Sequence, residues 1–315
     1  MNGANDVWPA LPLAAWEKTA ATLHMWTQIV GKIRLACAPW MNHSWSVTLY
    51  LTARGVTTSP MPHGRHCFEV DFDFVVHRLI IRKSDGTERI IELRPMAVAD
   101  FYEQLMTALE EMELKVKIAA IPNEVEDATP FAHDRKHAAY DAEYANRFWR
   151  VLLQSDRVFK EFRARFIGKC SPVHFFWGSF DLAVTRFSGR AAPPHPGGVP
   201  HLPNAVAREA YSHEVSSCGF WPGSAALPET VFYSYAYPAP EGFAEATVRP
   251  VRASWNAAMR EFILPYEAVR TAGEPDRVLL EFLQSTYEAA ANLARWDRAG
   301  LERQIDLAPA HPWAE

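Results

Sequence analysis

Apolar residues recur every three to four positions near the start of the chain, and this period predicts a helix with one face against a core. The repeat is carried by Trp16, Thr19, Leu23, Trp26, Val30 and Ile33. A helix over about 12–36 follows. A second amphipathic helix is predicted by the run "VADFYEQLMTALEEM" further along.

Between these two helices the hydrophobic period changes to two, which predicts half-buried strands over 45–54 and 66–74. In "CFEVDFDF" the apolar residues Phe68, Val70 and Phe72 alternate with acidic residues. Asp85-Gly86 separates two apolar runs in "LIIRKSDGTERIIEL". Both residue types tolerate the positive φ of a tight turn, so a β-hairpin is predicted here.

The same order of elements recurs after a connection at 122–141, where prolines and charges of both signs interrupt the apolar period. A helix is predicted over 142–167, then a long strand after Pro172, a proline- and glycine-rich loop at 189–204, further strands and a closing helix. The predicted fold class is α+β, with two pseudo-repeated halves, 1–121 and 142–315. Each half is expected to be a long helix packed on an antiparallel sheet, with a further helix after the strands.

The duplication hypothesis depends on a colinear alignment of the two halves. Gly31-Lys32 aligns with Gly168-Lys169, and Trp45 then aligns with Trp177 after one gap. In this interpretation each glycine ends a helix as a left-handed cap, and each lysine faces the helix dipole.

Four longer runs carry a resemblance to a known family: "TLHMWTQIVGKIRLA", "FKEFRARFIGKCSPVHFFWGSFDLAVTRFSG", "YSHEVSSCGFWPG" and "FLQSTYEAA". They resemble an uncharacterised bacterial family catalogued as domain of unknown function 5996. The resemblance spans nearly the whole chain and implies no activity, cofactor or catalytic residue. A functional interpretation therefore has to come from the chemistry of the residues.

Composition narrows the class of protein. The chain has 315 residues, a net charge of −5 and 49% hydrophobic residues, which is enough for one large or two ordinary domains. An acidic chain is a poor match for nucleic acid, because binding phosphates requires a clustered positive field. The N-terminal residues lack a signal-peptide pattern, and no apolar run is long enough to span a membrane. We expect a cytoplasmic protein with reduced cysteines, because the four cysteines include no CxxC pair.

The alignment also predicts a polar pocket in the second half. Polar residues replace the apolar residues of the first half at Ser179, Asp181, Thr185, His213 and Ser217. Buried polar side chains destabilise a fold unless they are paired, so a cluster of them indicates a cavity for a polar ligand. In the alternative register, Phe180, Leu182 and Val184 face the core and Asp181 lies on a solvated surface.

We predict that His213 acts as a general base oriented by Asp181, because imidazole titrates at about pH 6.5. The expected ligand is a small polar or anionic molecule. The residues expected to bind it are Ser179, Thr185, Ser217, Trp177, Lys169 and Arg186. Two alternatives stay open: a sensor or carrier that binds without turnover, and a metal-dependent enzyme with His174, His213 and Asp181 as ligands. The sequence assigns no cofactor.

Overall fold

The computed structural model describes residues 7–224 and 227–303. The ends of the two predicted halves, 1–6 and 304–315, lie outside this part. Within it, the α-helices are α1 (Leu13–Cys37), α2 (Val98–Glu111), α3 (Ala142–Ala164), α4 (Asn204–Ala210), α5 (Tyr266–Arg270), α6 (Pro275–Leu293) and α7 (Arg298–Leu301). Single 3₁₀ turns form at Asn42–Ser44 and Phe131–His133.

Twelve strands form in the described residues, and all of them pair antiparallel. They are β1 (Tyr50–Leu51), β2 (Gly55–Thr57), β3 (Met61–His63), β4 (His66–Asp73), β5 (Arg78–Lys83), β6 (Glu88–Glu92), β7 (His174–Phe176), β8 (Asp181–Ala191), β9 (His213–Trp221), β10 (Val231–Tyr237), β11 (Ser254–Asn256) and β12 (Glu261–Pro265). The predicted strand over 45–54 is thus reduced to β1, whereas the one over 66–74 forms almost in full.

The first sheet has the order β1-β2-β4-β5-β6, and β3 pairs with β4 beside β2. The predicted hairpin joins β5 to β6, with Gly86 at a φ of 91°. The apolar face of the first sheet packs on α1 and α2. Phe72 of β4 stacks on Phe101 of α2, and Phe101 stacks on Trp26 of α1. The period-two alternation of β4 therefore gives one face to the core, as predicted.

The second sheet has the order β11-β12-β10-β9-β8-β7. Helices α3 and α6 cover one of its faces. Phe159 of α3 contacts Phe232 of β10 edge to face. Leu182 and Val184 of β8 face the same way and are fully buried. The opposite face of this sheet, which we call the cavity face, does not contact these two helices.

The α+β class with antiparallel sheets, each followed by helices, is confirmed, but the internal duplication is not. Gly31 lies inside α1, whereas Gly168 follows the end of α3. The prediction that Gly31 caps a helix is wrong. The indole of Trp177 occupies the space that a Cβ on Gly31 would need, so the glycine permits a close packing contact inside the helix. The second half also contains α4, which has no counterpart in the first.

Among the described residues the two sheets meet at one bridge, in which Leu49 and Phe175 exchange two backbone hydrogen bonds of 2.9 Å. The bridge brings residues 40–47 of the first half to the edge of the cavity face. None of the described helices combines the length and apolarity needed to cross a membrane.

Candidate functional site

A cavity of about 540 Å³ lies on the cavity face of the second sheet. Its cover consists of residues 40–47, the pair Asn123 and Glu124, the loop after β8, and α4. Val199, Leu202 and Pro203 of the loop line the wall. Both registers considered above therefore hold in part, because Leu182 faces the helices while Asp181 faces a covered cavity.

The strand register places the polar residues of the floor in rows. Thr185 lies opposite Ser217, which lies opposite Tyr235. The hydroxyls of Thr185 and Ser217 are 2.8 Å apart, and those of Tyr235 and Tyr211 are 2.9 Å apart. Three of these polar side chains, Thr185, Ser217 and Tyr235, project into the cavity because residues of the same parity share one face of a sheet.

Asp181 lies at one end of the floor and is 6% exposed. Its carboxylate accepts hydrogen bonds from the hydroxyls of Ser179 and Tyr233. The Tyr233 hydroxyl occupies space that a Cβ on Gly219 would take, so a glycine in β9 allows this contact. Burial raises the pKa of Asp181 to about 6, although the two hydrogen bonds act in the opposite direction.

Glu124 reaches the same cavity from the connection between the two halves. Burial, together with the charge of Asp181, raises the pKa of Glu124 to about 7. Its Oε1 fills the space where a Cβ on Gly178 would lie. Helix α1 holds the backbone beside it: the Gln28 amide donates to Asn123 O and accepts from Asn123 N, both at 2.8 Å.

Glu261 at the start of β12 is the third carboxyl group in the wall. Burial and then the charge of Asp181 raise its pKa to about 8. In the described part of the chain, no hydrogen bond reaches the carboxylate of Glu261 or Glu124. Three carboxyl groups thus share one cavity, and their pKa values extend across neutral pH.

Residues with left-handed backbone conformations concentrate around this cavity. His43, Glu124, Phe180, His201 and Arg260 have φ between 53° and 60° although none is glycine. Each lies in the wall or next to a residue of the wall. Such conformations cost of order 1 kcal/mol each and tend to collect at functional sites, which supports a functional role for this one.

The structure corrects the predicted acid-base pair. In the β8–β9 register, His213 lies opposite Ala191. Asp181 begins β8 at the other end, near Trp221. Because strands rise by about 3.4 Å per residue, roughly 25 Å of sheet separates the two side chains. His213 bonds Ser212 instead and does not line the cavity. The alignment of the two halves, which suggested a catalytic role for His213, is not confirmed by the structure.

The two expected anion-binding cations are also placed elsewhere. Arg186 faces the helices, fully buried against the rings of Phe162 and Tyr287, because it lies one residue out of phase with Thr185. Lys169 is exposed beside the wall, where its Nζ lies 2.6 Å from Nε2 of His43. Neither residue lines the cavity.

The metal-site alternative is likewise not supported. His174 is fully buried and hydrogen-bonds the Tyr50 hydroxyl at 3.3 Å. It lies opposite Ala183 of β8, whereas His213 lies opposite Ala191, eight residues further along the strand. Burial lowers the pKa of His174 to about 3. No cluster of three or more His, Cys, Asp or Glu suited to a metal ion exists among residues 7–224 and 227–303.

Of the other predicted ligand-binding residues, Trp177, Ser179, Asp181, Thr185 and Ser217 all line the cavity. Sequence reasoning missed Glu124, Glu261 and Tyr233. The spacing of His24, Gln28 and Lys32 on one flank of α1 was an available signal, because these residues hold the cavity wall. His24 Nε2 contacts Gly178 O at 2.8 Å, and Gln28 holds Asn123.

The chain belongs to a family of unknown function, DUF5996, which matches residues 8–303. Searches of curated proteins and of solved structures found no match to this chain.

Proposed function

We propose that this chain is a small-molecule enzyme that uses buried carboxyl groups for general acid-base chemistry in the cavity of the second sheet. One observation carries the proposal: Asp181, Glu124 and Glu261 bring three carboxyl groups into one cavity, where burial raises their pKa values by different amounts, to about 6 for Asp181 and about 8 for Glu261. Groups whose surroundings separate their pKa values in this way act as base and acid at one pH.

The roles follow from the protonation states at pH 7. Asp181 is mostly ionised and accepts a proton, while Glu261 is mostly protonated and donates one. The hydroxyls of Ser179 and Tyr233 hold the Asp181 carboxylate in place. Glu124, with a pKa of about 7, exchanges a proton with the substrate atom that faces Asp181 or Glu261. A cavity of about 540 Å³ matches a small organic substrate.

The proposal is tested by incubating purified protein with a pool of small metabolites and following the pool by mass spectrometry. We expect one compound to be consumed, with a pH profile that falls below about pH 6 and above about pH 8. Asp181→Asn and Glu261→Gln should each reduce turnover by about 100-fold or more. Glu241→Gln, an exposed carboxyl outside the cavity, is the matched control.

Gly178→Ala sharpens the test, because a Cβ there displaces only the flexible end of Glu124. It should leave stability within about 0.5 kcal/mol while changing the pH profile of turnover. A compound that binds to the cavity and is recovered unchanged at every pH would overturn catalysis and leave a carrier or sensor.

A further inference from the structure

The wall of the cavity has an unbalanced charge. It contains the carboxyl groups of Asp181, Glu124 and Glu261, and no lysine or arginine of the described residues lines it. The carboxylates of Glu124 and Glu261 receive no hydrogen bond and no ion pair within 4.0 Å in that part of the chain. Glu124 and Glu261 are half-buried. Carboxyl groups partly removed from water without partners destabilise a fold, and a positively charged ligand would offset this cost.

The nearest lysines balance this charge only in part, because the charge of Lys32 lowers the pKa of Glu124. Lys32 is 4% exposed, donates to the side chain of Asn123, and lies 5.6 Å from the ring centre of Trp177. Lys169 lies 5.3 Å from the ring centre of Trp45. Both tryptophans line the cavity whereas the lysines do not. Each ammonium therefore packs against a wall residue, and among the described residues Asp181 and Glu261 have no ion pair within 4.0 Å.

Nine of the residues that line the cavity are aromatic. They are Trp40, Trp45, Phe176, Trp177, Phe187, Tyr211, Trp221, Tyr233 and Tyr235. Faces of tryptophan and tyrosine attract cations, and the same surfaces pack against flat apolar groups. A hydrated metal ion would fit such a wall poorly, and the described residues form no metal-ligand cluster.

We infer that the ligand of this cavity is an organic cation, an amine attached to a flat apolar body, whose ammonium group is received by Asp181 and Glu261. This inference names the class of ligand for the proposed function, and it rests on that function only in placing the site in this cavity. Asp181, Glu124 and Glu261 supply acceptors for the N–H groups, and the aromatic wall covers the body. One positive charge offsets one ionised carboxylate, so a proton remains in the cluster for acid-base chemistry.

The test uses three probes with one ring system and different head charges: tryptamine, the neutral tryptophol, and indole-3-propionate. Binding is measured by isothermal titration calorimetry at pH 7.5. Phenethylamine, phenethyl alcohol and hydrocinnamate form a second set with a smaller ring. For each ring system that fits the cavity, we expect the amine to bind at least about tenfold tighter than its neutral analogue. The carboxylates should show no binding.

Variants connect this preference to the named residues. Asp181→Asn and Glu261→Gln should each weaken amine binding by about tenfold and leave the neutral analogue within about twofold. Glu241→Gln should change neither value. The inference is overturned if both amines fail to bind, if a neutral or anionic analogue binds as tightly, or if the variants weaken amine and alcohol equally.

The two proposals fail in distinguishable ways. If turnover of a neutral or anionic compound requires Asp181, the acid-base proposal holds and the inference of a cationic ligand is wrong. If amines bind selectively but none is consumed at any pH, the inference of a cationic ligand holds and the proposed enzymatic function is wrong. Titration of the carboxyl groups by ¹³C NMR supports the acid-base proposal if resonances move between about pH 6 and pH 8, and overturns it if all of them titrate near pH 4.

Discussion

The two sheets differ most in the face that their helices leave uncovered. On the first sheet this face carries Glu69 and Asp71 of β4, which are partly exposed and both pair with Arg82 of β5 across the strands. Arg82 lies 3.0 Å from Glu88, with both side chains over 40% exposed. On the second sheet the corresponding face carries Asp181 and Glu261, and segments of chain cover it. The same alternation of apolar and polar residues thus gives a solvated surface in one place and an acidic cavity in the other.

The difference shows that cover, rather than strand pattern, sets the chemistry of these carboxylates. Glu69 and Asp71 of the first sheet are partly exposed and pair with an arginine side chain, and such ion pairs contribute little to stability. On the second sheet, α4 and the loop before it exclude water, so burial raises the pKa of each carboxyl group. Asn123 and Glu124, held by α1, close another side.

The largest effect on stability is expected at Gly219, where the cavity floor is too tightly packed to accept a side chain. Gly219→Ala would place a Cβ against the carbonyl oxygen of Leu182 and the hydroxyl of Tyr233. We expect a loss of about 2–3 kcal/mol in the free energy of unfolding, measured in urea, because backbone and ring must both shift. Gly273→Ala is the control, since no atom lies within 4 Å of its Cβ position. Equal, small effects would mean that Tyr233 does not pack on Gly219.

A pH-dependent effect of intermediate size separates the two faces. The pKa of Glu261 rises from 4.5 to about 8 on folding, so its contribution to stability is present below pH 4.5 and is lost as pH rises through 8. Glutamine does not ionise. Glu261→Gln should therefore match the wild type at pH 4.5 and exceed it by about 2 kcal/mol at pH 8.5.

The comparison for this prediction is Glu88→Gln, which removes a carboxylate from the solvated face of the first sheet. It should change the free energy of unfolding by less than about 0.5 kcal/mol at both pH values. Urea unfolding at pH 4.5 and pH 8.5 measures both variants. If Glu261→Gln showed no gain at pH 8.5, the cover over this face would not exclude water from Glu261.

The smallest effect is expected at His213, which begins β9 away from Asp181. Its ring contacts His43 at a centroid distance of 5.9 Å, and it does not line the cavity. His213→Phe should alter stability by no more than about 0.5 kcal/mol, measured as a melting curve, and leave tryptamine binding unchanged. A clear loss of binding would restore the histidine to the site.

Local patterns predicted a large part of the fold. The period of α1 placed it at about 12–36 against the observed Leu13–Cys37, and Asp85-Gly86 marked a real hairpin. Helices α2 and α3 and strand β4 were also predicted close to their observed positions, whereas the single long strand predicted after Pro172 divides into β7 and β8. Short elements such as β11, β12 and α4 escaped, because a few residues carry no measurable period. The duplication was inferred from matching letters, whereas Gly31 and Gly168 occupy different kinds of structure.

The sequence by itself determined the α+β class, the antiparallel sheets and the polar side of β8 and β9, because hydrophobic periodicity acts over neighbouring residues. Only the tertiary structure decided which polar residues meet. Asp181, Glu124 and Glu261 are far apart along the chain, and they converge because α1 holds the connection against the edge of the second sheet. His213 and Asp181 share one face of that sheet but lie at opposite ends, since antiparallel pairing reverses the direction of β9 relative to β8. The sequence determines the chemistry of each side chain, whereas packing between distant segments determines which side chains lie close together and how far they are removed from water.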